Sequence, residues 1–240
     1  MYKNKLLNWI LFFAIILNVK QMNAQSKTDT LDARHQSIVA VSALTATGDL
    51  ENLKIQLNNG LDAGLTINEI KEALVQLYAY CGFPRSLNGI STFMQVLEER
   101  KTKGITDLTG RDATPLTDST DKYERGRKTL EALSKTPQAK PAPGFGEFAP
   151  RIDAFLKEHL FADIFDSDVL SYQQRELVTI SALSAMPGVE AQLKSHIAMG
   201  TNTGITEKQT VQIFDLIEKH IGKQQADKAR RALTKSNSDN

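Results

Sequence analysis

The chain has 240 residues, 24% of them charged, a formal net charge of +1 and a single cysteine. A balance this near neutrality gives no electrostatic footprint for nucleic acid. One thiol excludes an intrachain disulfide, so stability must come from helix packing and assembly.

Lys3 and Lys5 precede an apolar run at 6–19, and Met22-Asn23-Ala24 offers a small-residue cleavage site before Gln25. Residues 1–24 therefore read as a secretory signal peptide, and the protein is expected to be exported, periplasmic or secreted. The run falls short of the roughly 20 apolar residues of a membrane span and is broken by Asn8. Its removal takes Lys3, Lys5 and Lys20 and no acid, moving the formal charge from +1 to −2. The remaining sequence has no other long apolar run, and no membrane association is expected of it.

Beyond residue 24 the chain repeats itself. "VSALTATGDLENLKIQLNNGLDAGLT" at 41–66 returns as "ISALSAMPGVEAQLKSHIAMGTNTGIT" at 180–206, with one extra residue around Pro187. A long period present only twice indicates a duplicated unit rather than a solenoid. The first repeat is placed at 25–102 and the second at 147–235. Apolar residues at helical spacing predict helices at 31–47, 49–62, 67–81 and 84–101, then at 171–186, 189–202, 207–221 and 223–235. Gly64 and Gly204 are suited to ending a helix in the left-handed conformation, and Thr66-Ile67-Asn68-Glu69 and Thr206-Glu207-Lys208-Gln209 then open the next as capping boxes. The linker at 103–146 reads as loop with a short helix at 123–134, another helix is expected at 148–159, and 236–240 reads as a disordered tail. The fold class is all-α.

"RELVTISALSAMPGVEAQLKSHIAMGTNTGIT" at 175–206 closely resembles the core of the carboxymuconolactone decarboxylase family. "LVQLYAYCGFPRSLNGISTF" at 74–93 resembles the helix that follows this core, and "FADIFDSDVLSYQQREL" at 161–177 is similar to the segment that enters it. The resemblance implies two tandem copies of an alkylhydroperoxidase-like helical unit. It also implies that a two-copy chain forms a homotrimer equivalent to the six-unit rings of single-copy relatives. The namesakes decarboxylate a muconolactone, whereas other relatives are peroxidases using a Cys-x-x-Cys pair and a following His. Aligning that His with His196 puts Val189 and Gln192 at the two cysteine positions, and the first repeat has Asp49, Asn52 and Gln56 instead. Disulfide-cycling peroxidase chemistry, which needs both thiols, is thereby excluded.

His196 can move a proton near neutral pH, as a decarboxylase must when it protonates the carbanion left behind. Glu176, on the preceding helix, can orient the imidazole; the first repeat has Ser37 there. The alternatives are an interhelical histidine and a solvated Arg175-Glu176 surface pair. Conversely, only the first repeat carries Tyr80-Cys81-Gly82-Phe83-Pro84-Arg85, aligned with His220-Ile221-Gly222-Lys223-Gln224-Gln225. Tyr80, Cys81, Phe83 and Arg85 are candidates for holding a small carboxylate, Arg85 because its planar fork can take both oxygens. The alternative is core packing for Tyr80, Cys81 and Phe83 and a surface role for Arg85. These complementary asymmetries predict one composite pocket where the repeats face each other.

No His or Cys spacing suits a metal, no glycine-rich phosphate loop occurs, and no cofactor is expected. The favoured expectation is a cofactor-independent lyase or isomerase acting on a small organic acid or lactone. An oligomeric binding protein and a single-Cys antioxidant acting through Cys81 are the alternatives.

Overall fold

The computed structural model describes residues 29–238, so the signal-peptide reading at 1–24 lies outside the described residues. Among those described, regular structure is entirely helical. The first repeat supplies α1 (Ala33–Thr47), α2 (Leu50–Asp62) and α3 (Ile67–Thr102). The linker supplies α4 (Lys122–Ser134) and leads into α5 (Phe145–Phe148), and the second repeat opens with α6 (Pro150–Ala154), which runs on as a π-helix (Phe155–Ile164). The second repeat supplies α7 (Tyr172–Ala185), α8 (Glu190–Asn202), α9 (Glu207–His220) and α10 (Lys223–Ser238). No described helix is long and apolar enough to cross a membrane.

The punctuation read from the sequence operates as expected. Thr66 and Thr206 each cap the third following amide, while Glu69 and Gln209 reach back to the cap. Gly64 and Gly204, at φ 92° and 100°, turn the chain between the paired helices. A side chain larger than hydrogen is strained at these angles, so glycine stands at both.

Helices α1 and α7 form the centre and pack along each other. Residues 37–46 of α1 and 175–185 of α7 are buried without interruption, the pattern of a helix surrounded by protein on all sides. Packing then crosses between repeats, with α3 lying against α7 and α9 against α1. Leu44, Leu53 and Leu74 from one repeat and Leu183, Leu193 and Phe214 from the other belong to one continuous core. A buried polar tie joins the halves: Gln76 of α3 donates to the Arg175 carbonyl and Thr179 hydroxyl, each at 2.9 Å, and accepts from the Arg175 guanidinium at 2.9 Å. Burying Gln76 costs little because its donors and acceptor are satisfied.

Within α3 the helical path is broken at Gly82, whose φ of 82° and ψ of 157° are non-helical, so two helices meet there at a kink, as the separate helices expected at 67–81 and 84–101 require. The structure differs from the expected elements at two places. The helix expected at 148–159 begins as α6 at Pro150 and takes π geometry from Phe155 to Ile164. Helix α10 reaches Ser238, extending into the stretch read as a tail.

The linker is more than a tether. Helix α4 packs along the π-helix, and together they build a second apolar cluster of Leu133, Leu160, Phe161, Ile164 and Phe165 over Met199 of α8. Asn202 of α8 donates to the Leu133 carbonyl at 2.8 Å. This pair of helices forms a cap on the face of α8 that carries Met199, and Tyr80 packs against the same cluster.

Candidate functional site

His196 lies near the middle of α8 and Glu176 in the first half of α7, where the tight connection brings the two helices together. The extra residue at Pro187 is absorbed in the turn, where Met186 leaves the helix in an extended conformation. His196 Nδ1 and Glu176 Oε2 are 2.8 Å apart, with Glu176 0% and His196 7% exposed. With Glu176 taken as a carboxylate, which can only accept, Nδ1 is assigned the hydrogen and Nε2 is the second ring nitrogen. The solvated-pair alternative for Arg175-Glu176 is corrected by this burial, since Arg175 is also 0% exposed. The Arg175 guanidinium is held by Glu72 at 3.0 Å, by Gln76 and by the Ser167 carbonyl at 2.6 Å.

The third member comes from the other repeat. Tyr80 of α3 meets the His196 ring edge to face, with 5.4 Å between centroids and 79° between planes. Its hydroxyl is buried near the Thr179 hydroxyl but makes no hydrogen bond of full geometry, and Glu176 Oε1 has no partner. The nearby Thr179 hydroxyl already donates to the Arg175 carbonyl at 3.0 Å and accepts from Gln76. Burial, reinforced by the charge of Glu176, pushes the Tyr80 phenol far above its ordinary range. The phenol therefore stays protonated and remains a donor. Two unpartnered polar atoms in one buried site are costly unless something else satisfies them.

The remaining candidates are placed differently. Cys81 is half-buried, its Sγ 3.1 Å from the Leu77 carbonyl, and burial pushes its thiol up despite the opposing charge of Arg85. Phe83 is 62% exposed and stacks on Tyr78 at 4.5 Å. Arg85 donates to the Ala46 carbonyl at the end of α1. Among the described residues, no hydrogen bond or ion pair links Arg85 to His196 or Glu176. The structure thus brings together His196, Glu176 and Tyr80, while the contacts made by Cys81, Phe83 and Arg85 are with Leu77, Tyr78 and Ala46.

The corresponding positions of the first repeat hold no such arrangement. Ser37 donates to the Ala33 carbonyl within its own helix, and Gln56 accepts from Asn59 at 3.4 Å. Duplication has left one His-Glu pair per chain. Sequence reasoning missed the cap, whose only local signal is Gly126 in the middle of α4. A Cβ there would lie 1.7 Å from the Lys157 carbonyl oxygen. The cap is pinned by a buried cluster in which Lys157 Nζ contacts Asp153 Oδ1 at 2.9 Å and the Tyr123 hydroxyl at 2.9 Å. No group of three or more His, Cys, Asp and Glu side chains among the described residues is placed to hold a metal ion.

The model of the carboxymuconolactone decarboxylase family matches residues 12–92 and 150–235. The chain belongs to this family. The two matches fall on the two repeats and leave out most of the linker, including α4. The family's unit thus occurs twice in one chain, and the His196, Glu176 and Tyr80 cluster draws on both halves. No curated protein matches the chain.

Proposed function

We propose that the protein is a cofactor-independent lyase or isomerase of the carboxymuconolactone decarboxylase type, acting on a small organic acid or lactone. The observation that carries this reading is the buried His196-Glu176 contact with the unpartnered Tyr80 hydroxyl beside it. In a decarboxylation, the bond from carbon to the carboxylate breaks and its electron pair stays as an enolate. The Tyr80 phenol donates a hydrogen bond to the developing oxyanion, and protonated His196 delivers a proton to carbon through Nε2, returning to neutral imidazole. Water restores that proton, so the reaction needs no oxidant or reductant. Glu176 orients the ring and holds its positive charge, the role of the third group in base-orienter arrangements. An isomerisation uses the same groups, with Nε2 taking a proton from one carbon and returning it to another.

The half-buried thiol of Cys81, pushed up rather than down, disfavours the single-Cys antioxidant alternative. The reading includes export, supported by the basic start, apolar run and small residues of 1–24. It also includes a homotrimer, supported by the two tandem family matches.

The test is a panel of lactones and keto acids screened for a ligand-induced rise in melting temperature, followed by turnover of the hits. His196→Gln, copied from Gln56 of the first repeat, is the control. Turnover by the wild type and its loss in the variant are expected. Equal turnover by both would remove His196 from the chemistry, and binding without turnover would make the protein a small-molecule binder.

A further inference from the structure

Each repeat carries a groove of about 400 Å³ at the same place in its helical unit. In the first it lies between the start of α2 and the second half of α3, and in the second between the start of α8 and α10. Position for position, Leu50, Glu51, Lys54, Asn88 and Ser91 of the first groove become Glu190, Ala191, Lys194, Lys228 and Arg231 of the second. The first is balanced: Glu51 offsets Lys54, which also pairs with Glu99. The second sets three cations against the single carboxylate of Glu190, whose Oε1 accepts from the Gly188 amide at 3.4 Å.

A second difference falls beside the same groove. Helix α2 is capped from within the chain, the Asp49 side chain accepting from the Asn52 amide at 3.2 Å. Val189 stands at that position before α8, and no side chain caps this helix. The second repeat has therefore lost an internal carboxylate next to the groove and gained two cations, Lys228 and Arg231, in its wall. The first repeat builds the same helices without either change, so the fold does not require them. Loss of an anion and gain of cations at one place together leave room, in charge and in volume, for an anion from solution.

We propose that the groove of the second repeat binds a small molecule carrying a dianionic group, a phosphate or a pair of carboxylates. Arg231 presents a planar fork that suits two oxygens of one group, and Lys194 and Lys228 add point charges from α8 and α10. The first amides of α8 supply the donors that Asp49 satisfies in the first repeat. The volume is that of a small-molecule site. Lys194 is two residues from His196 and side chains so spaced do not share a helix face, so the groove is no extension of the His196 site and the inference is independent of the chemistry there.

Thermal unfolding in inorganic phosphate or succinate, each against sodium chloride of equal ionic strength, tests it. A saturable rise in melting temperature beyond the chloride control is expected, reaching roughly 5–10 °C at ~100 times the dissociation constant. Lys228→Asn/Arg231→Ser copies Asn88 and Ser91 of the first groove and should abolish the rise with unchanged helical circular dichroism. Lys228→Asn alone should weaken the anion at least tenfold, and it decides the matter should the double variant not fold. Lys54→Asn, in the first groove, should leave the rise intact. A rise with phosphate alone assigns the groove to phosphate-bearing ligands, and one with succinate alone to dicarboxylates. The same rise in chloride, or a rise that survives both Lys228 variants, would mean an adventitious ion only and overturn the inference. Failure of either dianion to raise the melting temperature of the wild type would overturn it equally.

Discussion

Replacing His196 by Leu removes the one partner of a carboxylate that is 0% exposed and whose second oxygen is already unpartnered. Breaking a buried pair from one side costs about 3–5 kcal/mol, because the remaining group keeps its desolvation penalty. For a chain of this length each kcal/mol shifts the melting temperature by about 2–4 °C, so a fall of roughly 6–20 °C is expected. His196→Asn, whose amide can stand where Nδ1 stands, should retain the contact and lose only about 1 kcal/mol. Removing both partners in His196→Leu/Glu176→Leu should recover most of the loss, since an apolar replacement of both leaves nothing unsatisfied. Thermal unfolding followed by circular dichroism, with wild type, the two single Leu variants and the double variant arranged as a double-mutant cycle, measures this directly. A His196→Leu variant within about 0.5 kcal/mol of the wild type, or a double variant no more stable than that single one, would refute the idea that the two side chains form a closed buried unit.

Three other outcomes rest on the same geometry. Tyr80→Phe deletes a buried hydroxyl that has no partner, so stability should hold within about 0.5 kcal/mol. Turnover of any substrate found should instead fall by about 100-fold, the scale of a lost oxyanion donor, and a stability loss with unchanged turnover would make the hydroxyl structural. Gly126→Ala places a methyl 1.7 Å from the Lys157 carbonyl oxygen; backbone on both sides cannot yield, and a loss of at least ~3 kcal/mol is expected by denaturant titration, beyond ordinary overpacking. Burial works against ionised Asp153, but hydrogen bonds from Tyr123 and Lys157 outweigh it and hold the carboxyl below its usual range. That stabilisation is complete above the unfolded value of about 3.9 and is lost as pH falls through the lower folded value, so the melting gap between wild type and Asp153→Asn should narrow below about pH 4. A gap independent of pH would contradict it.

The helices of both repeats were legible because their ends carry local chemistry: a threonine cap answered by Glu69 or Gln209, and a glycine at positive φ before it. The all-α class followed from apolar spacing alone. The His196-Glu176 pairing was legible only as one option, since the extra residue at Pro187 left the register of the turn open and the contact depends on how that turn is built. Tyr80 was singled out by its absence from the second repeat, but in one string with Cys81, Phe83 and Arg85. The kink at Gly82 separates what the string joins: Tyr80, before it, points to His196, while Phe83 and Arg85, after it, turn to Tyr78 and the Ala46 carbonyl. The π-helix left no trace in the sequence, because Leu156, Leu160, Phe161 and Ile164 read as ordinary helical spacing; in the structure this stretch packs along α4. Gly126 alone hinted at that close approach.

The most direct test of proton handling by His196 is incorporation of solvent deuterium at the acidic carbon of a lactone or keto acid hit, followed by NMR in deuterated buffer. The wild type should exchange the carbon-bound hydrogen and His196→Gln should not. Exchange at the same rate in both proteins would contradict the account.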